Sequence, residues 1–263
     1  QTASFPHTDR TVSRLGFGCM RFPTLEKDGK KVIDRPQAIA MLRHAIDSGV
    51  TYVDTAYPYH DGEGETVVGL ALQDGYRDRV TLTTKLPLWL LETKADMQRF
   101  LDEQLTKLKT DHVDFYLLHA MDKEALEKMR KLDYPEFLEK AVNAGKVRYP
   151  GFSFHDDYKT FVEILNDYDW KLAQVQMNVL DGDNQATLQG IQDAGKKGVG
   201  VVIMEPLRGG ALAHPPKEAA DLYESFPEKR SAVEWAFRYL YDMPEVVTIL
   251  RGMSTMEQLD DNI

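Results

Sequence analysis

Short apolar, β-branched segments alternate along the chain with longer amphipathic segments, in which apolar residues recur every three or four positions. We interpret the sequence as eight successive pairs of a strand and a helix. The strand segments are RLGFGCM, TYVDTA, RVTLTTK, HVDFYLLHA, VRYPGFSF, KLAQVQMN, VGVVIMEP and VVTILRG. Strands that alternate with helices predict parallel pairing, and eight such units in 263 residues most simply close into a (β/α)8 TIM barrel.

An open, doubly wound sheet is the alternative architecture. Such a sheet usually has GxGxxG after its first strand, whereas LGFGCMRF has GxG without the third glycine. We expect a single barrel domain over residues 1–263, with Gly49 and Gly145 ending helices in the left-handed conformation. Residues 209–229, between the seventh strand and its helix, are expected to be an insertion that forms a mobile flap. The helical pattern of residues 255–263 predicts that the chain stops within the last barrel helix and that the native protein continues.

Composition narrows the class of protein. With 43% hydrophobic and 28% charged residues, the chain is typical of globular proteins. A net charge of −10 argues against a nucleic-acid partner. The single cysteine, Cys19, excludes an intramolecular disulfide or a four-cysteine metal site within these residues and favours a reducing, cytoplasmic location. The apolar runs are too short for a membrane span, so no membrane partner is expected, and the oligomeric state stays open.

Polar side chains follow the predicted strands at the end where barrel enzymes carry their chemistry. These residues are Asp54, Lys85, His119, Ser153, Gln176, Glu205 and Arg251. Three of them have ordinary structural alternatives. Lys85 could extend its ammonium group to solvent, His119 could be a hydrogen-bonded structural histidine, and Asp54 could form a turn or helix cap. Because three strands each bring a titratable group to one face, a functional site is favoured.

A tyrosine beside a lysine and a carboxylate is a proton-transfer unit. Phenol has a pKa of about 10, so a nearby ammonium group is needed to stabilise phenolate. Tyr59, Lys85 and Asp54 suit these roles if the loop after the second strand folds over the end of the third. His119 would then orient a substrate oxygen. The remaining acids of this loop are expected to serve the turn and the following helix start: Asp61, Glu63 and Glu65.

A metal-dependent hydrolase and a serine hydrolase are the competing chemistries. The candidate metal ligands are His60, Asp61, Glu63, His119, His155, Asp156 and Asp157. However, neither HxH nor HExxH occurs, and the first strand is followed only by Cys19 and Met20. The segment GFSFH lacks the second glycine of a GxSxG nucleophile turn. We therefore expect no metal.

The motifs DTAYPYHDGEGETVVGLAL, TTKLP, LDEQLTKLKTDHVDFYLLH, GKVRYPGFSFHDD, QVQMN and GVGVVIMEPLRGGALA resemble, in this order, the aldo-keto reductases. The resemblance extends from about Val12 to Ile263 and implies a barrel enzyme that reduces aldehyde, ketone or quinone carbonyls without a metal. It implies a catalytic tetrad, with the tyrosine as proton donor: Asp54, Tyr59, Lys85 and His119. Tyr57 is left as a substrate-pocket residue, and Trp89 is either a pocket residue or a buried structural tryptophan.

The resemblance also implies where a nicotinamide cofactor binds. Ser153 and Gln176 match the residues that hold the nicotinamide carboxamide. Phe154 stands where the family often has asparagine, so His155 substitutes for it. Met204 stands where an aromatic residue usually stacks on the nicotinamide ring. Further contacts are expected around the ring from Gly18, Cys19, Met20, Asp54, Glu205 and Pro206.

The far end of the cofactor is matched by the last two strand ends. Leu207, Arg208 and Gly209 correspond to the loop along the pyrophosphate, with an ordinary glycine-rich turn as the alternative. The adenosine end corresponds to Ser254, Gln258 and Asn262. Arg251 is the one basic residue near the 2′-phosphate position, so NADP(H) is expected and NAD(H) is the alternative.

The phrases TAYPYHDG, GFSFHDD and VIMEPLRGG are most similar to a bacterial and archaeal branch of the family. Members of this branch commonly carry a ferredoxin-like, cysteine-rich segment after the barrel. A 4Fe–4S cluster is therefore expected only if such a segment follows Ile263. A redox sensor or regulatory subunit that binds the cofactor is the alternative function within the family.

Overall fold

Nearly all the regular structure lies in one closed sheet and the helices around it. The computed structural model describes all 263 residues. The strands are β1 (Thr2–Ser4), β2 (Thr11–Ser13), β3 (Leu15–Gly18), β4 (Thr24–Lys27), β5 (Lys30–Ile33), β6 (Tyr52–Asp54), β7 (Thr81–Leu86), β8 (Val113–Met121), β9 (Val147–Phe154), β10 (Leu172–Gln176), β11 (Gly200–Met204) and β12 (Val246–Gly252). The α-helices are α1 (Arg35–Asp47), α2 (Gly64–Ala71), α3 (Lys94–Leu108), α4 (Lys123–Lys131), α5 (Tyr134–Asn143), α6 (Tyr158–Asp167), α7 (Thr187–Lys196), α8 (Lys217–Ser225), α9 (Ala232–Tyr241) and α10 (Met256–Asn262).

Eight strands close into a barrel in the order β3, β6, β7, β8, β9, β10, β11 and β12, and β12 pairs again with β3. Every pairing in the barrel is parallel, and at least one helix follows each of its strands along the chain. Gly49 and Gly145 follow α1 and α5 with φ values of 100° and 72°, in the left-handed region that ends a helix. The predicted TIM barrel is confirmed.

Two antiparallel hairpins were not predicted. β1 pairs with β2, and β4 pairs with β5. The chain leaves β1 at Phe5, whose ring lies 4.5 Å from the ring of Phe115 and 6.0 Å from that of Tyr52. Tyr52 begins β6, so Phe5 closes the barrel at the amino-terminal ends of its strands.

Side-chain alternation along the strands sorts residues between the barrel interior and the helical layer. On β8, Phe115 and Leu117 belong to the interior cluster, whereas Tyr116 and Leu118 pack with the helices. The next inward position is His119. The predicted insertion, residues 209–229, contains helix α8, none of whose residues is buried. None of the helices combines the length and apolarity needed to cross a membrane.

Candidate active site

Lys85 lies at the centre of a hydrogen-bonded cluster at the carboxyl-terminal end of the barrel. Its Nζ donates to Asp54 Oδ1 at 2.7 Å and to the carbonyl oxygen of Thr55 at 2.8 Å, and lies 3.4 Å from the hydroxyl oxygen of Tyr59. Only 1% of Lys85 and 2% of Asp54 is exposed. The alternative in which Lys85 extends to solvent is therefore wrong, and so is the local cap for Asp54, because its carboxylate is bound to Lys85.

Burial acts against both charges of this ion pair. It favours a lower pKa for Lys85, but the attraction of Asp54 and Tyr59 outweighs it, and the pKa of Lys85 lies above its ordinary value. Burial raises the pKa of Asp54, opposed by Lys85 and by a hydrogen bond from Gln174 Nε2 to Asp54 Oδ2 at 3.4 Å. With the two groups 2.7 Å apart, Lys85 stays an ammonium group at neutral pH.

Tyr59 reaches this cluster from the loop between β6 and α2. Its carbonyl oxygen accepts hydrogen bonds from the backbone N–H of Gly62 at 3.2 Å and of Gly64 at 3.0 Å, which fold the loop back over the strand end. Gly62 has a φ of 88°, a conformation that glycine adopts without strain. Burial raises the pKa of Tyr59, and Lys85 opposes this rise. The side chain is therefore a phenol at neutral pH, next to a cation that can stabilise its phenolate.

His119 faces Tyr59 from the end of β8. The two rings are edge-on with centroids 6.3 Å apart, and the ring of Trp89 lies 5.2 Å from His119. The buried Nδ1 of His119 has no hydrogen-bond partner. Burial, Lys85 and His155 lower the pKa of His119 to about 3. His119 is thus a neutral imidazole, and the alternative of a hydrogen-bonded structural histidine is not supported.

The two aromatic residues predicted for the substrate pocket differ. Trp89 is 51% exposed beside His119, so the alternative of a buried structural tryptophan is wrong. Tyr57 instead packs against helix α3, where its hydroxyl donates to Glu103 at 3.0 Å and its ring lies edge-on to Phe100. Its side chain does not join the cluster, and the predicted pocket role receives no support.

The residues expected to hold the nicotinamide carboxamide lie on adjacent strands. Ser153 is the second-last residue of β9, and its Oγ accepts a hydrogen bond from the backbone N–H of Ala120 at 2.7 Å. Gln176 ends β10, and its amide bonds to Asp181 at 2.7 Å and Asn184 at 3.1 Å. Both are buried, so a carboxamide would have to replace some of these contacts. His155 is exposed, one residue beyond β9.

The remaining residues predicted to contact the cofactor ring and pyrophosphate lie at the ends of β3 and β11 and in the loops that follow them. Strand β11 ends at Met204, and a short 3-10 helix, Arg208–Ala213, begins four residues later. The predicted contacts lie along this stretch: Met204, Glu205, Pro206, Leu207, Arg208 and Gly209. Gly18 ends β3, and Met20 after it is exposed. Cys19 is completely buried, and burial raises its pKa well above the ordinary value. A contact of its thiol with a cofactor is therefore not supported.

Two polar side-chain atoms, one on β12 and one on α10, lack partners. Arg251 Nη1 and Asn262 Oδ1 are buried without a hydrogen bond, while the backbone N–H of Ser254 donates to Gln258 Oε1 at 2.9 Å. The guanidinium group of Arg251 lies 5.8 Å from the ring centroid of Phe237, and no carboxylate bonds to it. An unpaired, half-buried cation suits a phosphate group, so the residues present fit the 2′-phosphate end of NADP.

Sequence reasoning missed two members of this region. Gln174 contacts Asp54. The signal in the sequence was the alternation QVQ, which puts Gln174 and Gln176 on the same face of β10. Glu65 was expected only to serve a helix start, but it is completely buried. The residues considered as metal ligands are not brought together, since no group of three His, Cys, Asp or Glu side chains has the geometry to hold a metal ion.

Comparisons with known proteins agree with this geometry. The model of the aldo/keto reductase family matches residues 14–263. An uncharacterised oxidoreductase of Bacillus subtilis, YqkF, is 27% identical over 97% of this chain and 88% of its own length. The holo form of aldo-keto reductase AKR11C1 from Bacillus halodurans is 26% identical, covers 100% of this chain and 89% of its own, and superposes with a TM-score of 0.83.

A third relative was solved with a cofactor. An aldo-keto reductase from Klebsiella pneumoniae in complex with NADPH is 25% identical, with a TM-score of 0.77, over 100% of this chain and 88% of its own. The family match, the closed barrel and the Asp54–Tyr59–Lys85–His119 cluster all agree. The chain therefore belongs to the aldo/keto reductase family of oxidoreductases.

Proposed function

We propose that this protein reduces aldehyde, ketone or quinone carbonyls with NADP(H), and that Tyr59 donates the proton to the carbonyl oxygen. The observation that carries the proposal is the position of the Tyr59 hydroxyl, 3.4 Å from the buried ammonium group of Lys85. Family membership supports the reaction class, and the NADPH complex of the Klebsiella pneumoniae relative supports the cofactor.

Carbonyl reduction requires a hydride at carbon and a proton at oxygen. Bound NADPH supplies the hydride. Tyr59 supplies the proton, and Lys85 stabilises the phenolate that forms, while Asp54 holds Lys85 charged and in place. His119, as a neutral imidazole, donates a hydrogen bond from a ring N–H to the same oxygen without competing as the acid. Trp89 lines the substrate side, next to His119.

Replacing Tyr59 by phenylalanine tests the proposal most directly. We expect kcat for aldehyde reduction, followed as NADPH oxidation, to fall by at least about 10²-fold, because a positioned general acid contributes about 10²–10⁴. Cofactor affinity, measured from quenching of tryptophan fluorescence, should stay within about twofold, since no binding group is removed. Tyr149→Phe is the matched control, because the Tyr149 hydroxyl bonds to Asp9 far from the cluster.

Full activity of Tyr59→Phe would refute the assignment of the proton donor. Tight NADPH binding without turnover of any aldehyde, ketone or quinone by the wild type would favour the redox-sensor alternative. Stoichiometric zinc or manganese in the purified protein, with activity lost on its removal, would favour a metal-dependent hydrolase.

The choice of NADP(H) over NAD(H) rests on Arg251. Its unpartnered Nη1 can bond a 2′-phosphate, which NADH lacks. Arg251→Gln should therefore weaken NADPH binding by about tenfold and leave NADH binding nearly unchanged, because a charge-assisted hydrogen bond contributes about 1.5–3 kcal/mol. Parallel titrations with both cofactors measure this. Equal weakening of both would contradict the role of Arg251 at the phosphate.

Two further parts of the proposal rest on the sequence alone. A cytoplasmic location is inferred from the presence of a single cysteine in the sequence, and localisation of a tagged full-length protein tests it. A 4Fe–4S cluster would have to be held by cysteines outside these 263 residues, as the resemblance to the iron–sulfur branch implies. The absorption spectrum of the natural full-length protein tests this expectation.

A further inference from the structure

A buried carboxyl group lies behind Lys85, between the barrel wall and the helices. Glu65 is in the first turn of α2 and is completely buried. Its Oε1 accepts hydrogen bonds from Thr84 Oγ1 and from Gln104 Nε2, each at 2.6 Å, and its Oε2 has no partner. Burying an acid with an unpartnered oxygen lowers the stability of the fold, so the contacts that Glu65 does make indicate why it is buried here.

Through Thr84 and Gln104, the carboxyl group of Glu65 is connected to the backbone of Lys85. Thr84 is the residue before Lys85, and strand alternation directs its side chain outward while that of Lys85 points inward. Gln104 Nε2 also lies 2.9 Å from the carbonyl oxygen of Lys85, and Gln104 Oε1 accepts from the hydroxyl of Tyr116 at 2.7 Å. From outside the barrel, Glu65 thus holds the hydroxyl of Thr84, the residue before Lys85, and the amide of Gln104, which bonds to the Lys85 carbonyl oxygen.

The backbone next to Glu65 also contacts Tyr59. Gly64, the residue before Glu65, donates its backbone N–H to the carbonyl oxygen of Tyr59 at 3.0 Å. A Cβ at Gly64 would lie 3.0 Å from that oxygen and 3.1 Å from Tyr59 Cβ, so α2 begins in direct contact with Tyr59. A shift of the first turn of α2 therefore moves Tyr59.

We propose that Glu65 is a positioning residue, whose Oε1 sets the distance between Lys85 Nζ and the Tyr59 hydroxyl by tying the start of α2 to β7 and α3. The inference rests on the function proposed above for Tyr59 and Lys85. Their contact of 3.4 Å is at the long end of hydrogen-bond distances, so a small displacement breaks it. The hydrogen-bond acceptor, rather than the charge, does the positioning.

Three variants and one control test this role. Glu65→Ala removes the acceptor and should lower kcat by about 10–100-fold, because a misplacement of about 1 Å costs up to about 10²-fold. Thr84→Val removes one donor and should lower kcat by about 3–10-fold. Glu65→Gln keeps an acceptor oxygen and should stay within about threefold of the wild type. The affinity for NADPH should not change in any of them.

Thr248→Val is the matched control for Thr84→Val. Thr248 is also a completely buried threonine of a barrel strand, but its Oγ1 donates to the carbonyl oxygen of Arg14 at 3.2 Å, away from the cluster. Its kcat should stay within about twofold. Equal losses of kcat in Thr84→Val and Thr248→Val would overturn the proposal, and so would a loss in Glu65→Gln as large as in Glu65→Ala.

Hydrogen exchange of backbone amides gives a readout that does not need turnover. In Glu65→Ala, or in Thr84→Val if Glu65→Ala does not fold, peptides covering residues 55–64 should exchange faster than in the wild type and in Thr248→Val. Unchanged exchange there would overturn the positioning role. Faster exchange in a protein that reduces no carbonyl would support the coupling of Glu65 to Tyr59 while the proposed function fails.

Discussion

Asp54 and Asp114 are both buried carboxylates of barrel strands, but they lie at opposite ends of the barrel. Asp54 is the last residue of β6 and has one cation, Lys85, as its partner. Asp114 is the second residue of β8, is 1% exposed, and lies within 3.5 Å of the guanidinium groups of Arg10, Arg77 and Arg148. Its Oδ2 also accepts from the backbone N–H of Leu82 at 2.9 Å.

The difference separates a site that stabilises the fold from one that can react. Both carboxylate oxygens of Asp114 are held by donors, as expected of a structural group at the amino-terminal face of a barrel. At Asp54 the ion pair continues to Tyr59 and His119, which are partly exposed and not fully hydrogen-bonded. Tyr59 can therefore lose or gain a proton at the carboxyl-terminal face while the carboxylate of Asp54 continues to balance the charge of Lys85.

Lys85→Met should have the largest effect, and on activity. Without the ammonium group nothing stabilises the phenolate of Tyr59, so kcat should fall by about 10²–10⁴. Steady-state rates at saturating NADPH and aldehyde measure it, with cofactor titration as the control for a folded site. A variant that keeps more than about a tenth of the activity would contradict the role of Lys85.

Asp114→Ala should have the next largest effect, and on stability alone. Three arginines would lose their buried carboxylate, which should lower the free energy of unfolding by about 3–5 kcal/mol. Urea denaturation measures this loss. The kcat of the folded fraction should stay within about twofold of the wild type, and a large loss of kcat per folded molecule would mean that the two ends of the barrel are not separate.

Asp54→Asn should reduce kcat less than Lys85→Met, by about 10–100-fold, which corresponds to about 1.4–2.7 kcal/mol. The reason is that Asp54 acts through Lys85, which the carbonyl oxygen of Thr55 continues to hold at 2.8 Å. The same assay measures both variants. An Asp54→Asn loss equal to that of Lys85→Met would show that Asp54 does more than hold the lysine.

His119 should give the smallest effect, on the pH dependence of stability. Its folded-state pKa of about 3 lies below the ordinary value of 6.5, so between these values the unfolded chain binds a proton that the folded chain does not. Stability is therefore lost as the pH falls through this window, by about 1–2 kcal/mol between pH 6.5 and pH 5. His119→Phe should remove this part of the acid sensitivity, as measured by urea denaturation at both pH values. An identical pH dependence in the variant would contradict a depressed pKa.

Much of the site could be predicted because it depends on strand ends. The run RVTLTTK ends in Lys85 and VDFYLLH ends in His119, and barrel geometry brings such ends together. The sequence did not distinguish Tyr57 from Tyr59 by pattern, and only the resemblance chose between them. In the structure the backbone of the loop directs Tyr57 to helix α3 and Tyr59 to Lys85.

The cofactor-side residues were less predictable than the cluster. Their positions follow from strand order, but their partners do not. Gln176, for example, bonds to Asp181 and Asn184 in the following loop, and the path of that loop leaves no periodic signal. The same holds for Arg251 Nη1 and Asn262 Oδ1, which lack hydrogen-bond partners.

The sequence by itself determined the order of the eight barrel strands and the helices between them, the barrel and the residues at the strand ends, because these depend on hydrophobic periodicity and topology along neighbouring segments. Tertiary structure decided which distant residues meet. It placed Phe5 inside the barrel, Arg10 and Arg148 around Asp114, and Glu65 behind Lys85. These contacts join residues far apart in the chain, and they form because a closed barrel packs every inward and outward side chain against others that no local pattern specifies.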